Sequence, residues 1–294
     1  MRGRGFRAMR ACGILLAGLW VCLYSQAAPG REITVAAASD LQFVLPKIAA
    51  QFEKETGQTV KLVFGSSGNF YSQIQNGAPF DLFFSADVEY PERLEKNGFT
   101  EPGSLVRYAT GKIVLWAAKE SSLDVNRGLA ALLDPGVRKI AIANPAHAPY
   151  GRAAVAALRH ENLYDQVALK LVLGENISQA AQFVESGNAD AAIVALALVI
   201  APPGKDSGKY FVIPADSYPP IDQAAVVLKS SQQKAAARQF LEFLRRPEIL
   251  NLMRDFGFSV PESQTPRAPR NQELTPDSSD RTAILGMTAA GHWR

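Results

Sequence analysis

Residues 33–57 read ITVAAASDLQFVLPKIAAQFEKETG, and this run decides the fold class. Ile33 to Ala38 is a short run of β-branched and small residues, a strand candidate. Immediately after it, Leu41, Val44, Leu45, Ile48, Ala49 and Phe52 recur at helical spacing, and Gly57 ends the pattern. Val60–Phe64 is the next strand candidate, followed by a short helix over Phe70–Gln75 that stops at Asn76-Gly77. A third strand, Asp81–Ser85, and a third helix, Val88–Lys96, repeat the order. Alternation of this kind predicts an α/β chain with parallel sheets covered by helices.

Farther along, Lys112–Ala118, Lys139–Ala143, Lys170–Leu173 and Ala191–Val194 read as strands, with helices over Gly151–His160 and Ser178–Ser186 between the last three. Tyr210–Ile213 and Ala224–Leu228 follow as strands, then a helix over Ser231–Arg245 and another opening at Pro247. Proline suits a first helical turn, because its missing N–H would have no partner there. The pattern predicts one lobe from residues 31–109 plus 216–261 and a second from 110–215. Two crossings make a hinge, with a ligand cleft between the lobes. The tail, residues 262–294, is rich in Pro, Ser, Asn and charge and is expected to be disordered.

The first 27 residues stand apart. Arg2, Arg4, Arg7 and Arg10 form a basic start without an acid, residues 11–24 are almost wholly apolar, and Ser25-Gln26-Ala27 offers small residues for cleavage. This is the pattern of a secretory signal peptide, residues 1–27. Fourteen apolar residues are too few for the ~20 of a spanning helix. Its removal changes the charge argument. Without those four arginines, the 31 Lys and Arg become 27 against 28 acidic residues, so the surplus of +3 disappears. No basic excess then remains to hold nucleic acid. Cys12 and Cys22 leave with the same segment, so the exported chain has no disulfide or thiolate site. Val21 before Cys22 argues against lipid anchoring, and a periplasmic location is expected.

Three strand-to-helix junctions carry hydroxyls or glycines where helices should open: residues 36–40 (AAASD), 65–69 (GSSGN) and 144–152 (NPAHAPYGR). In open α/β sheets ligands bind at the carboxyl ends of strands. Helix N-termini there present unpaired N–H groups and partial positive charge, which suit an anion. Each junction alone also reads as an ordinary cap or turn. Three of them spread over both lobes point to an anion or small polar ligand in the cleft.

The segments ITVAAASDL, FGSSGNFYSQIQNGAPFDLFFSAD, ANPAHAPYGRAA and ENISQAAQFVESGNADAAIV resemble, in order and spacing, the periplasmic molybdate-binding protein family of ModA type. The likeness runs from Glu32 to Pro261. It implies a type II periplasmic binding fold: two α/β lobes joined by a two-crossing hinge. It implies a monomer that captures molybdate, and tungstate with it, for an ABC importer with its permease in the inner membrane, and no cofactor. Position by position, Ser39 and Ser67 match the family's hydroxyl ligands, Tyr150 a second-lobe residue acting through its amide or hydroxyl, and Ile177 a residue offering its backbone N–H. Asp40 would act through its backbone. Two departures stand out. Ala195 occupies a position where some members place a ligand tyrosine, and Tyr150 is expected to supply that hydroxyl. Asp40 replaces a residue that is often neutral, and its carboxylate is expected to turn toward the helix amides, away from a dianion.

Neutral donors suit such a ligand. A dianion stripped of water must regain a hydrogen bond at every oxygen; backbone N–H groups only donate, and neither they nor serine hydroxyls take up a proton from the ligand. The same fold could take sulfate, thiosulfate or an organic anion instead. A serine hydrolase is the remote alternative. Ser66 and Ser67 lie in a GSSG run rather than a G-x-S-x-G elbow, and His147, His160 and His292 are scattered. No cluster of His, Cys and carboxylates suggests a metal cation. Arg152 is expected to point to solvent.

Overall fold

The computed structural model describes residues 32–202 and 207–261. The signal-peptide and tail readings, and both cysteines, lie outside the described residues. Strand β1 (Ile33–Ala38) is followed by a 3-10 turn, Ser39–Leu41, and helix α1 (Leu45–Thr56). The helix starts at Leu45 rather than Leu41 because Pro46 belongs in a first turn. Gly57 ends it in the left-handed conformation, at φ 70°. Then come β2 (Val60–Gly65), α2 (Ser67–Gln75), β3 (Leu82–Ser85), α3 (Glu89–Lys96) and β4 (Val106–Gly111). The second lobe holds β5 (Ile113–Ala118), β6 (Ile140–Ala143), α4 (Pro149–His160), α5 (Tyr164–Val167) and β7 (Leu171–Gly174). It continues with α6 (Ile177–Glu185), β8 (Ala191–Ala195), α7 (Leu196–Val199) and β9 (Gly208–Val212). The chain returns through β10 (Ile221–Val227), α8 (Lys234–Phe243) and α9 (Pro247–Asp255).

The strands form two five-stranded sheets, ordered β2-β1-β3-β10-β4 and β7-β6-β8-β5-β9. Both are mixed, which corrects the expectation of parallel sheets. β1 pairs in parallel with β2 and β3, and β6 with β7 and β8, through helical crossovers. β10 runs antiparallel to β3 and β4, and β5 antiparallel to β8 and β9. The reason lies in the crossings: a strand entering from the other lobe arrives without a helix to reverse its path. Lys112 alone separates β4 from β5, and residues 213–220 carry the chain back into β10.

Side-chain alternation sorts the first sheet's two faces. Ile33, Val35 and Ala37 of β1, Leu82 and Phe84 of β3, and Ala225 and Val227 of β10 join one core with α1, α8 and α9. Their neighbours Ala36, Phe83 and Val226 point the other way, against Phe70 of α2 and Leu94 of α3. Phe52 anchors the first core, edge-on to Phe240 and Phe243 at centroid distances of 5.0 and 5.4 Å. The second lobe has its own core, in which all of β5 to Ala117, β6 and β8 are buried. Among the described residues no helix is long and apolar enough to cross a membrane.

Candidate oxyanion site

Four helical starts meet at one small cavity between the lobes. The 3-10 turn opens at Ser39 after β1, and α2 opens at Ser67 after β2. From the other lobe, α4 opens at Pro149 after β6, and α6 at Ile177 after β7. The cavity is lined by Ser39, Asp40, Ser66, Ser67, Tyr150 and Ile177, with Ala38, Gly65, Ala86, Ala148 and Pro149 between them. Ser39, Ser67, Tyr150, Ile177 and Asp40, the five residues singled out in the sequence, are thus brought together. α2 begins at Ser67 rather than at Phe70, so Ser67 occupies the first helical position, where an amide has no partner within the helix. α4 likewise starts two residues earlier than its apolar pattern suggests, at Pro149, which puts the Tyr150 amide in the first turn. Gly151 permits this start, because a Cβ there would lie 2.0 Å from the Ala143 carbonyl oxygen.

The hydroxyls differ in their commitments. Ser67 Oγ accepts from the Ala86 amide at 3.0 Å, which leaves its own proton free to donate into the cavity. Ser39 Oγ accepts from the Ser178 amide at 3.3 Å and donates to Asn176 Oδ1 at 3.2 Å, a long bond that joins the lobes. Asn176 Oδ1 also caps α6 through the Gln179 amide at 3.0 Å. The Tyr150 hydroxyl does not serve the cavity: it donates to Asp40 Oδ2 at 2.9 Å. Ala195, at the end of β8, is buried and does not line the cavity.

The Asp40 carboxylate feels its own and the Leu41 amides, as expected, but its main partners lie elsewhere. Its Oδ2 turns to Tyr150 and to Gln223 Nε2 (2.7 Å), and its buried Oδ1 has no hydrogen-bond partner. Burial raises its pKa from 3.8 to about 6, against the opposing pull of Gln223, Tyr150 and the nearby Asp40 and Leu41 amides. The Tyr150 and Tyr108 hydroxyls are pushed well above their ordinary range, first by burial and then by the Asp40 charge. Gln223 and Tyr108 were not foreseen. Tyr108 donates to Gln223 Oε1 at 2.7 Å, so a buried chain runs Tyr108–Gln223–Asp40–Tyr150. The sequence signal was a glutamine, next to Asp222, directly before the apolar run Ala224–Leu228.

Across the mouth, the Gly68 amide donates to the His147 carbonyl at 2.9 Å, and Ser66 Oγ meets His147 Nδ1 at 2.9 Å. His147 Nε2 lies 3.7 Å from the exposed Glu175, which also receives Asn69 Nδ2. Arg152 does not point to solvent: it pairs with Asp87 and reaches the Tyr90 hydroxyl at 3.2 Å. Asp87, just past β3, draws it over the cleft. Among the described residues, no Lys, Arg or His lines the cavity itself.

Residues 33–259 match the family model described as bacterial extracellular solute-binding protein. The chain is 42% identical over 255 residues to the molybdate-binding protein ModA of Azotobacter vinelandii, covering 87% of this chain and 99% of that protein. It is 41% identical over 231 residues to ModA of Rhodobacter capsulatus, covering 79% and 89% respectively. This chain belongs to the ModA family of bacterial extracellular solute-binding proteins. The solved structure of the Azotobacter vinelandii periplasmic molybdate-binding protein superimposes with a TM-score of 0.74 at 41% identity, covering 78% of this chain and all of that one. The two-lobed architecture is therefore the ModA fold, and the cavity lies where its lobes meet.

Proposed function

We propose that this chain captures molybdate, and tungstate with it, in the periplasm and delivers it to the membrane permease of an ABC importer. Four helical starts converging from two lobes on a cavity without a basic side chain carry this reading. The family membership and the relatives' molybdate-binding names support it. Ser67 supplies a free hydroxyl, Ser39 another once its long 3.2 Å bond to Asn176 yields to the anion, and Asp40, Ser67, Tyr150 and Ile177 supply backbone amides. Hydrogen bonds to a charged partner contribute about 1.5–3 kcal/mol each, so a shell of such donors offsets the loss of hydration. Tyr150 acts through its amide, because its hydroxyl is committed to Asp40.

The lobes are residues 31–109 with 216–261 and residues 110–215, closing about the two crossings. The chain acts as a monomer, exported by residues 1–27. It is a carrier rather than a catalyst. The Ser66–His147 contact joins residues of opposite lobes and serves as a latch on the closed cleft. Its nearest carboxylate, Glu175, is too exposed and too distant to orient a catalytic base.

Isothermal titration of the oxyanion-free protein with molybdate, tungstate, sulfate and phosphate tests the reading. Tight one-to-one binding of the first two, weak or absent binding of the others, and a loss of roughly 10–100-fold on Ser67→Ala are expected. Silence toward molybdate with binding of sulfate would end the ligand assignment.

A further inference from the structure

One carboxylate sits among the neutral donors. Asp40 lines the cavity and is 1% exposed. Its Oδ2 already accepts two hydrogen bonds, from the Tyr150 hydroxyl at 2.9 Å and Gln223 Nε2 at 2.7 Å. Its Oδ1 is buried without a partner. The titratable groups that face it are Tyr150 from α4 and Tyr108 from β4, and β10 brings only the neutral Gln223. The ends of β2, α6 and α7 that meet the 3-10 turn carry no charge, and no cation pairs with Asp40 among the described residues. As a carboxylate, Asp40 would hold an unpaired negative oxygen beside a bound dianion, with only neutral donors and no cation to offset the two charges. As a carboxylic acid, the same oxygen is a donor.

We propose that Asp40 is a protonated donor in the anion complex, so that capture of the dianion takes up a proton from solvent onto Oδ1. That O–H then donates to an anion oxygen, while Oδ2 keeps both of its donors, which a carbonyl oxygen can do as well as a carboxylate. The proposal rests on the oxyanion reading above and names the group that makes binding proton-linked. Burial, against the hydrogen bonds that oppose it, places Asp40 at about 6. A neighbouring dianion raises it further, because the charged form is disfavoured by a like charge. Below about pH 6, Asp40 is already protonated, binding takes up no proton, and affinity is flat. Between that value and the higher pKa of the complex, one proton enters per anion, and affinity falls tenfold per pH unit.

Titration with molybdate in two buffers of different ionisation heat counts the protons. Uptake near one per anion at pH 7.5, shrinking to a small fraction at pH 5.5, is expected. Asp40→Asn keeps a neutral donor in place, so it should bind with no uptake and with an affinity that does not vary from pH 6.5 to 8.5. In the unaltered protein, molybdate should also bring up the infrared carbonyl band of a protonated carboxylic acid, a readout that needs no variant. Tight molybdate binding with constant affinity, no uptake and no such band overturns the proposal and leaves the molybdate reading standing. Binding of inorganic phosphate that Asp40→Asn abolishes also overturns it, since Asp40 would then accept the ligand's own proton. Absence of molybdate binding at every pH removes the reading beneath it and the proposal together.

Discussion

The amide of Gly68, in the first turn of α2, donates to the carbonyl oxygen of His147 on the opposite lobe at 2.9 Å. The contact is possible only because residue 68 has no side chain. A Cβ there would lie 2.6 Å from the His147 oxygen and 2.9 Å from its Cα. Backbone cannot swing aside as a side chain tip can, so the closed arrangement of the lobes depends on this glycine.

Gly68→Ala is therefore expected to weaken molybdate binding by at least ~10-fold while moving Tm by no more than ~2 °C, because the backbone clash exists only on closure. The other close atom, the Tyr90 hydroxyl at 2.8 Å in the same lobe, is a side-chain tip that can move aside. Titration and thermal unfolding check the two halves separately. A large fall in Tm would mean that the glycine is needed within its own lobe.

Tyr150→Phe separates amide from hydroxyl. The hydroxyl is spent on Asp40 and Gln223, so its removal should change molybdate affinity by less than ~5-fold, well short of the Ser67→Ala effect. Equal losses in the two variants would assign the Tyr150 hydroxyl to the anion.

Gln223 is the link of the buried chain. Gln223→Leu takes a donor from Asp40 Oδ2 and leaves the Tyr108 hydroxyl only a 3.4 Å approach to the Ser85 carbonyl. Urea unfolding should show a loss of about 1–3 kcal/mol. Combined with Tyr108→Phe, the loss should be less than the sum of the two, as for residues that share a network.

Asp40 makes stability depend on pH with a definite sign. Its folded pKa, about 6, lies above the unfolded value of roughly 3.9. The folded state thus holds a proton that the unfolded state gives up. The contribution is full below pH ~4 and is lost as pH rises through about 6. In the absence of anion, Asp40→Asn should be more stable than the unaltered protein by about 1–3 kcal/mol at pH 7.5, with the difference closing toward pH 4. A constant difference across that range would show that the carboxylate is not titrating in the fold.

Much of the architecture was legible because its causes are local. Ile33–Ala38 is a strand with the predicted bounds, and α1 stops at Gly57 as its pattern requires. Ser39, Ser67 and Tyr150 were legible as residues in junctions past the carboxyl ends of strands, and Ile177 only through the family resemblance. β4 was not foreseen, because Val106–Gly111 mixes an arginine, a threonine and a glycine into its pattern and takes its pairing from β10, over 100 residues away. The antiparallel pairs were missed for a related reason: strand direction depends on where the chain crosses between lobes, and side-chain periodicity does not record it.

The sequence by itself determined the alternation of strands and helices, the junctions where helices open, and the neutral chemistry of the hydroxyls placed there. Each of these follows from contiguous residues, through side-chain period, glycine and proline stops, and residue type. The tertiary structure alone decided that Asp40 meets Tyr150 and Gln223, and that Gly68 touches His147. These partners lie between 79 and 183 positions apart in the chain. The pKa of Asp40 and the freedom of the Ser67 proton are set by the water and hydrogen bonds each group loses or gains when the lobes pack.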